Sequence, residues 1–148
     1  MRESDHQFQK LIQQLSEVSG LKLPIRLERF FPGGRMIGGK YSIETNTITI
    51  YIEVVRKQCV LLFGSDERVL DYFAVIVAHE LGHAADPFLH DLAKRRKTAS
   101  TLIQKKEITL SIEVNAWNYA RKLVPHLSSV MDIVMERSLE LHKSIQVK

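Results

Sequence analysis

The sequence feature that most restricts the fold is a pair of histidines four residues apart at the end of an apolar segment. The apolar segment covers residues 69–78, and the letters His-Glu-Leu-Gly-His follow at 79–83. On a helix, side chains four residues apart lie one turn above each other, so both imidazoles can reach one metal ion. Pro87 biases the residue before it away from helical backbone. The pattern therefore predicts a helix, here called the motif helix, that carries a metal site and ends near residue 86.

A catalytic zinc site usually has three protein ligands and one open position, so His79 and His83 leave one ligand to identify. We expect Glu113, which lies 30 residues beyond His83 on a second predicted helix, here called the glutamate helix. Small residues at Gly82 and Ala116 would let the two helices approach each other. Four other residues remain alternatives for the third ligand: Asp86, His90, Glu107 and Asn115.

The alternative to a metal site is a helix whose histidines only form hydrogen bonds with their neighbours. Two imidazoles and the carboxylate of Glu80 are costly to bury on an otherwise apolar helix without a shared partner. We therefore favour the metal site.

Length and composition predict one domain covering residues 1–148. The chain has 148 residues, of which 45% are hydrophobic. This is enough for one hydrophobic core and too few for two domains of ordinary size. It has no apolar run long enough to span a membrane, and its N-terminal residues lack a signal-peptide pattern. The single cysteine, Cys59, excludes an internal disulfide and fits a reducing compartment. We therefore expect a cytoplasmic protein with no membrane partner.

The charge distribution gives little indication of a nucleic-acid partner. A net charge of +4 permits an acidic partner without requiring one. The letters Lys-Arg-Arg-Lys at 94–97 form a basic run, but aromatic residues are not interleaved with it. A solvated helix end is the favoured interpretation of this run, and we do not expect nucleic-acid binding.

Hydrophobic periodicity predicts both helices and strands. Besides the motif helix, helices are expected at residues 5–19, 102–124 and 128–142. Strands are expected at residues 21–27, 35–43 and 47–54, the last two joined by a turn at 44–46. Residues 55–63 fit either a short helix or a continuation of the strand. Ser65 is placed to cap the motif helix.

These features resemble the gluzincin type of zinc metallopeptidase, and the size of the chain is similar to that of the minigluzincins and the ImmA/IrrE-like peptidases. The resemblance covers roughly residues 35–125, which contain the hairpin, the motif helix and the glutamate helix. ImmA-like proteins often carry a block resembling Glu-x-Glu-Ala-x-x-Phe-Ala, with a proline soon after. The residues that fit it are Glu113, Ala116, Tyr119, Ala120 and Pro125. Asn115 stands at its second glutamate, and Trp117 stands where gluzincins often have an aspartate.

The resemblance implies an α+β, zincin-like fold in which a small sheet with an edge strand packs on the motif helix and the glutamate helix. It implies that His79, His83 and Glu113 bind Zn2+. Glu80 would be the catalytic general base, taking a proton from a zinc-bound water and passing it to the leaving amine. The strand over residues 47–52 resembles the edge strand that pairs with an extended substrate in such peptidases. The expected partner is a peptide or protein substrate.

The sequence leaves a second function open. The same residues could form the zinc site of a latent or non-catalytic module with a regulatory or interaction role. In that case the residues after Pro125 would cover the cleft. An enzyme and a module of this kind differ in hydrolytic activity and share the motif.

Overall fold

The computed structural model describes the backbone of residues 3–146 and the side chains of residues 5–140 and 142. Within this part of the chain the structure is mixed α+β, as the sequence predicts. It has six α-helices and a three-stranded sheet. In chain order the elements are α1 (Glu3–Ser19), β1 (Ile25–Glu28), β2 (Gly39–Ser42), β3 (Thr47–Tyr51), α2 (Ile52–Phe63), α3 (Val69–Ala85), α4 (Leu89–Thr98), α5 (Leu102–Leu123) and α6 (Ser128–Gln146). Short 3-10 helices lie at Pro32–Gly34 and Pro125–Leu127. The motif helix is α3, and the glutamate helix is α5.

The sheet has the order β1-β3-β2, so β3 is its central strand. β3 pairs in parallel with β1 and antiparallel with β2, and Ile50 lies opposite both Leu27 and Gly39. The hairpin that the sequence predicts is therefore confirmed. The expectation that residues 47–52 form an edge strand is wrong, because β1 pairs with the other side of β3. The edge strand that packs against the motif helix is β2.

The central strand ends earlier than its alternating pattern predicts. The alternation continues to Val54 in the sequence, but β3 ends at Tyr51 and α2 follows at once. Ile52, Val55 and Cys59 are buried at helical spacing. The segment buries these apolar side chains on one face as a helix, so tertiary packing overrides the local alternation.

The motif helix begins without the cap that the sequence predicts. Arg68 takes the N-cap position of α3 and its side chain makes no capping hydrogen bond. Ser65 lies too early, and its hydroxyl accepts a hydrogen bond from the backbone N–H of Glu67 instead. Gly64 separates α2 from this turn with a φ of +83°, which glycine adopts without steric cost. At its other end α3 stops at Ala85, as predicted.

The motif helix is the centre of the core. It packs against α1, α2, α5, α6 and the sheet. Its buried residues lie on all sides and not on one stripe, which is typical of a helix enclosed by the rest of the chain. Phe73 of α3 stacks on Phe8 of α1 with ring centroids 4.3 Å apart. From α6, the side chains of Val130, Met131 and Val134 join the same core.

The glutamate helix crosses the motif helix at very short range. A capping box between Thr101 and Gln104 starts α5. A Cβ atom added at Gly82 of α3 would lie only 2.4 Å from the carbonyl oxygen of Ala116 of α5. The close approach expected from these two small residues is confirmed, and it places Glu113 of α5 one turn before the crossing point.

Two further features concern possible partners. The basic run at 94–97 lies at the C-terminal end of α4, where cations interact favourably with the helix dipole. Within it, Arg96 donates a hydrogen bond to the Thr109 hydroxyl at 3.2 Å. Among the described residues, no helix is both long enough and apolar enough to cross a membrane.

Candidate metal centre

The last two turns of the motif helix place His79, Glu80 and His83 close together. One ligand atom from each of the three lies within 4.8 Å of the others. His79 and Glu80 are 9% and 5% exposed, and the two imidazole rings meet edge to face with centroids 4.6 Å apart. Imidazole and carboxylate groups are costly to bury without partners, so the hydrogen-bond partners of these three side chains determine the chemistry of the cluster.

Glu113 of the glutamate helix supplies a shared partner for both histidines. The Nε2 atom of His79 lies 3.1 Å from Glu113 Oε1, and the Nε2 atom of His83 lies 3.2 Å from Glu113 Oε2. The Glu113 carboxylate therefore faces the Nε2 atom of each imidazole, with one oxygen directed to each ring. The structure thus brings together all four residues that the sequence singles out: His79, Glu80, His83 and Glu113.

The two Glu113 separations are hydrogen-bond lengths to two different oxygens, and they are also short enough for ligands of one zinc ion. Zinc binds imidazole nitrogen at about 2.0–2.1 Å and carboxylate oxygen at about 2.0–2.2 Å. Two ligand atoms at a tetrahedral angle are then about 3.3–3.4 Å apart. The observed distances of 3.1 and 3.2 Å between the Glu113 oxygens and the imidazole nitrogens are close to this value. Two imidazoles and one carboxylate are also a donor set that zinc accepts.

Glu80 lies on the other side of the His79 ring. Its Oε2 atom is 3.1 Å from His79 Nδ1, so the ring is held at one nitrogen by Glu80 and at the other by Glu113. Strand β2 passes directly over this carboxylate. A Cβ atom added at Gly39 would lie 2.9 Å from Ile76 Cγ2 and 3.1 Å from Glu80 Cγ. Gly39 therefore leaves the space that the Glu80 side chain occupies.

Trp117 covers one face of His79. The indole and imidazole rings are stacked, with centroids 4.2 Å apart and planes inclined by 27°. Trp117 lies one helical turn after Glu113 on α5, so a single helix supplies both the carboxylate and the flat apolar contact for the same ring. The sequence identified Trp117 only as a departure from the gluzincin pattern. In the structure it restricts the rotation of His79.

The hydrogen bonds of the cluster shift its proton affinities strongly. Burial lowers the pKa of His79, but hydrogen bonds and charge attraction from Glu113 and Glu80 outweigh burial and raise it to about 10. Burial raises the pKa of Glu113, yet hydrogen bonds from His79 and His83 hold it far below the usual range. Without a metal ion, the cluster is therefore an imidazolium paired with a carboxylate, and a metal ion must displace the His79 proton.

The four alternative candidates for the third ligand do not lie between the two histidines as Glu113 does. Asp86 accepts hydrogen bonds from the backbone N–H of Phe88 at 2.9 Å and from the side-chain amide of Asn115 at 3.2 Å. Asp86 and Asn115 are thus bonded to each other. His90 and Glu107 are exposed, and neither makes a hydrogen bond or ion pair with the motif histidines. Among the five candidates, Glu113 is the one that contacts both histidines.

Sequence reasoning missed His142, which reaches the cluster from α6. Its Nε2 atom lies 3.8 Å from Glu113 Oε1, and its side chain is 34% exposed. It follows the fully buried Met131 by 11 residues, which is three helical turns, so both residues lie on one face of α6. Extending the apolar periodicity of this helix to its C-terminal end would have placed His142 on the inner face.

His79 and Glu80 line a cavity of about 680 Å³. Its walls come from the segment before β2, from α2 and α3, from Trp117 of α5 and from α6. The segment before β2 contributes Arg35, and α6 contributes Arg137. A volume of this size is ordinary for a binding site and accommodates more than one amino-acid side chain.

No family model, curated protein or solved structure matches this chain. The resemblance to gluzincin-type peptidases is therefore still a prediction from the motifs. The function of the chain is inferred from the geometry of the cluster.

Proposed function

We propose that this chain is a zinc metallopeptidase of the His-Glu-x-x-His type with a zincin-like arrangement of its site. The ligands are His79, His83 and Glu113, and the substrate is a peptide or protein. The observation that carries this proposal is the position of the Glu113 carboxylate, 3.1 and 3.2 Å from the Nε2 atoms of the two histidines. A fourth protein ligand is not needed, because catalytic zinc keeps one coordination position open.

A zinc ion bound by these residues would polarise a substrate carbonyl and lower the pKa of water at the site. Glu80 would act as general base, taking a proton from the attacking water at its carboxylate and passing it to the leaving amine. It lies beside His79 and lines the cavity, so it can face both the ligands and a bound peptide. Apolar neighbours and Trp117 would exclude bulk water from the histidine.

The edge strand β2 is suited to bind an extended substrate. It runs over Glu80 at Gly39, and one of its two sides is taken by β3. A peptide that pairs with the other side of β2 would lie along the cavity with its carbonyl groups near Glu80. This role falls on β2 and not on the central strand.

The test compares the wild-type protein with Glu80→Gln, using zinc content by elemental analysis and cleavage of a mixed peptide library followed by mass spectrometry. We expect one zinc ion per chain in both proteins. Cleavage by the variant should fall about 10²–10⁴-fold, because the general base is lost while the ligands remain. Glu107→Gln is the matched control, since it makes the same change at an exposed carboxylate of α5 and should leave cleavage unchanged.

The ligand assignment has its own test. Glu113→Ala should lose most of the zinc, because it removes the group that contacts both histidines. Undiminished cleavage by Glu80→Gln would contradict the catalytic role. A wild-type protein that binds no zinc would contradict the metal site.

His142 supports a second candidate function, a latent or non-catalytic zinc-binding module. Structural zinc sites have four protein ligands and no open position. His142 approaches Glu113 to 3.8 Å, and in this function its imidazole would be the fourth ligand. Removing α6 is not a useful test, because Met131 and its neighbours belong to the core.

The single substitution His142→Ala separates the two candidates. Cleavage that appears only in this variant would indicate a latent enzyme. Full zinc content without cleavage in the wild type and the variant would indicate a non-catalytic module. The exposed residue His126, which lies ahead of α6, gives the matched control His126→Ala.

A further inference from the structure

The cavity beside Glu80 has charged lining residues that the proposed reaction does not use. Trp117 lines this cavity and is 2% exposed. Its Nε1 atom is buried without a hydrogen-bond partner among the described residues, so the indole contributes apolar surface to the cavity and not a donor.

The charges that line the cavity are unbalanced. Arg35 lines it from the segment before β2, and Arg137 lines it from α6. Among the described residues, neither arginine forms an ion pair or a side-chain hydrogen bond. Glu80 is the one carboxylate among the described residues that line the cavity, and it is held by His79. Both arginines are exposed and line the cavity at its open side. Two guanidinium groups without protein partners are suited to bind a carboxylate, which matches their geometry and charge.

The rest of the lining is largely apolar. Ile37, Leu62, Ile76 and Val134 contribute to it. An apolar wall with two arginines fits a short hydrocarbon stem that ends in a carboxylate. A basic side chain would meet the like charge of the two guanidinium groups, so it is disfavoured.

We propose that this cavity is a recognition site for a carboxylate of the substrate, bound by Arg35 and Arg137. The inference rests on the proposed function in one respect, namely that the substrate is a peptide. The carboxylate belongs either to an acidic side chain or to the C-terminus of the peptide. Both sources present the same chemistry to the cavity.

The test measures peptide binding without turnover. Trp117 is the single tryptophan of the chain, so intrinsic fluorescence reports directly on the cavity. The Glu80→Gln protein is titrated with three acetylated alanine-based pentapeptides. The first has a central glutamate and an amidated C-terminus. The second has a central glutamine and an amidated C-terminus, and the third has a central glutamine and a free C-terminal carboxylate.

We expect at least one of the two peptides that carry a carboxylate to bind about tenfold more tightly than the neutral peptide. The peptide that shows this preference identifies the source of the carboxylate. Arg35→Gln and Arg137→Gln should each reduce the preference, and the double variant should remove it. Arg95→Gln removes the same charge from an exposed position of α4 outside the cavity and should leave the preference unchanged.

Equal binding of all three peptides would overturn the inference, as would a preference that survives the double arginine variant. Titrating both the zinc-loaded and the metal-free protein separates this inference from the proposed function. A preference that persists in the metal-free protein belongs to the arginines and not to zinc. If the chain binds no zinc and cleaves nothing but retains the preference, the proposed function fails and the carboxylate site stands.

Discussion

The two sides of the candidate site are held together in different ways. On the ligand side, α3 and α5 meet backbone to backbone, and a Cβ atom at Gly82 would lie 2.4 Å from the carbonyl oxygen of Ala116. On the cavity side, the segment before β2 faces α6 across a space of about 680 Å³. The ligand side therefore has little room to move, whereas the cavity side has room for a bound molecule.

The cavity side depends on side-chain hydrogen bonds. The amide of Gln58 donates to the carbonyl oxygen of Met36 at 2.8 Å, and the Tyr72 hydroxyl donates to the Gln58 side-chain oxygen at 3.0 Å. Burial raises the pKa of Tyr72 well above its usual range, so the hydroxyl keeps the proton that it donates. This difference between the sides indicates that the proposed ligands are fixed by backbone packing, while the residues that line the cavity are positioned by a chain of polar contacts.

Gly82→Ala tests the ligand side, and we expect the largest effect from it. In an exposed helix, replacing glycine by alanine stabilises by about 1 kcal/mol. Here the added methyl group would force the two helix backbones apart, so the free energy of unfolding should fall by about 1–3 kcal/mol. Urea unfolding measures the change, and zinc analysis should show reduced metal content because Glu113 moves with α5. A stabilised variant with full zinc would show that the helices are not held at this distance.

Gly39→Ala tests the cavity side with the same chemical change. The three atoms nearest to the added methyl group belong to the side chains of Ile76 and Glu80, which can shift more readily than a helix backbone. We expect zinc content and stability close to wild type and a loss of cleavage on the order of tenfold or more, because Glu80 is displaced. A stability loss as large as that of Gly82→Ala, without a specific loss of cleavage, would remove the distinction between the two sides.

The difference between the sides also explains which parts could be predicted from the sequence. His79 and His83 are related by helix geometry alone, so their spacing is enough to place them together. Placing Glu113 beside the histidines depends on a contact between two distant segments of the chain. The small residues Gly82 and Ala116 indicate that contact, because they allow the two helices to approach closely. Coarse fold class and most helices followed from periodicity, since long amphipathic or apolar segments carry a strong pattern.

The errors lie where tertiary contacts override local pattern. Residues 47–52 alternate like a half-buried strand at an edge, but no local signal shows that β1 pairs with their other side. The end of β3 at Tyr51 depends on burial of the α2 face. His142 lies 29 residues beyond Glu113, and its position depends on how α6 folds back after Pro125. Periodicity can place His142 on the inner face of α6, but the residues that this face meets are set by chain topology, as are the other two features.

Trp117 connects the two sides, and substituting it tests its contact with His79. Trp117→Leu removes the flat contact with His79, so zinc affinity should fall roughly tenfold, as expected when a group that orients a ligand is lost. Trp117→Phe keeps an aromatic face for the imidazole but is smaller than the indole, so its zinc affinity should fall less than that of Trp117→Leu. Competition with a chelator of known affinity measures both. Equal loss in the two variants would show that the aromatic face does not support the metal site.

The pH dependence of zinc binding gives a smaller effect and concerns the ligand side alone. In the metal-free protein His79 holds a proton, because Glu113 and Glu80 raise its pKa to about 10 against the opposing effect of burial. Zinc needs the unprotonated nitrogen, so binding releases this proton and the affinity rises with pH, by about threefold for each half unit, until the pH approaches that pKa. An ordinary histidine would give a plateau from about pH 7 upward.

Chelator competition between pH 7 and 9 distinguishes these outcomes. Glu113→Gln is the informative variant, because it removes the charge that holds the proton while keeping an oxygen that can bind zinc. Its zinc affinity should be lower overall and should level off at a lower pH than that of the wild type. If the wild-type affinity is already constant above pH 7, the metal-free histidine is neutral, and the ion pair between His79 and Glu113 does not preorganise the ligand side.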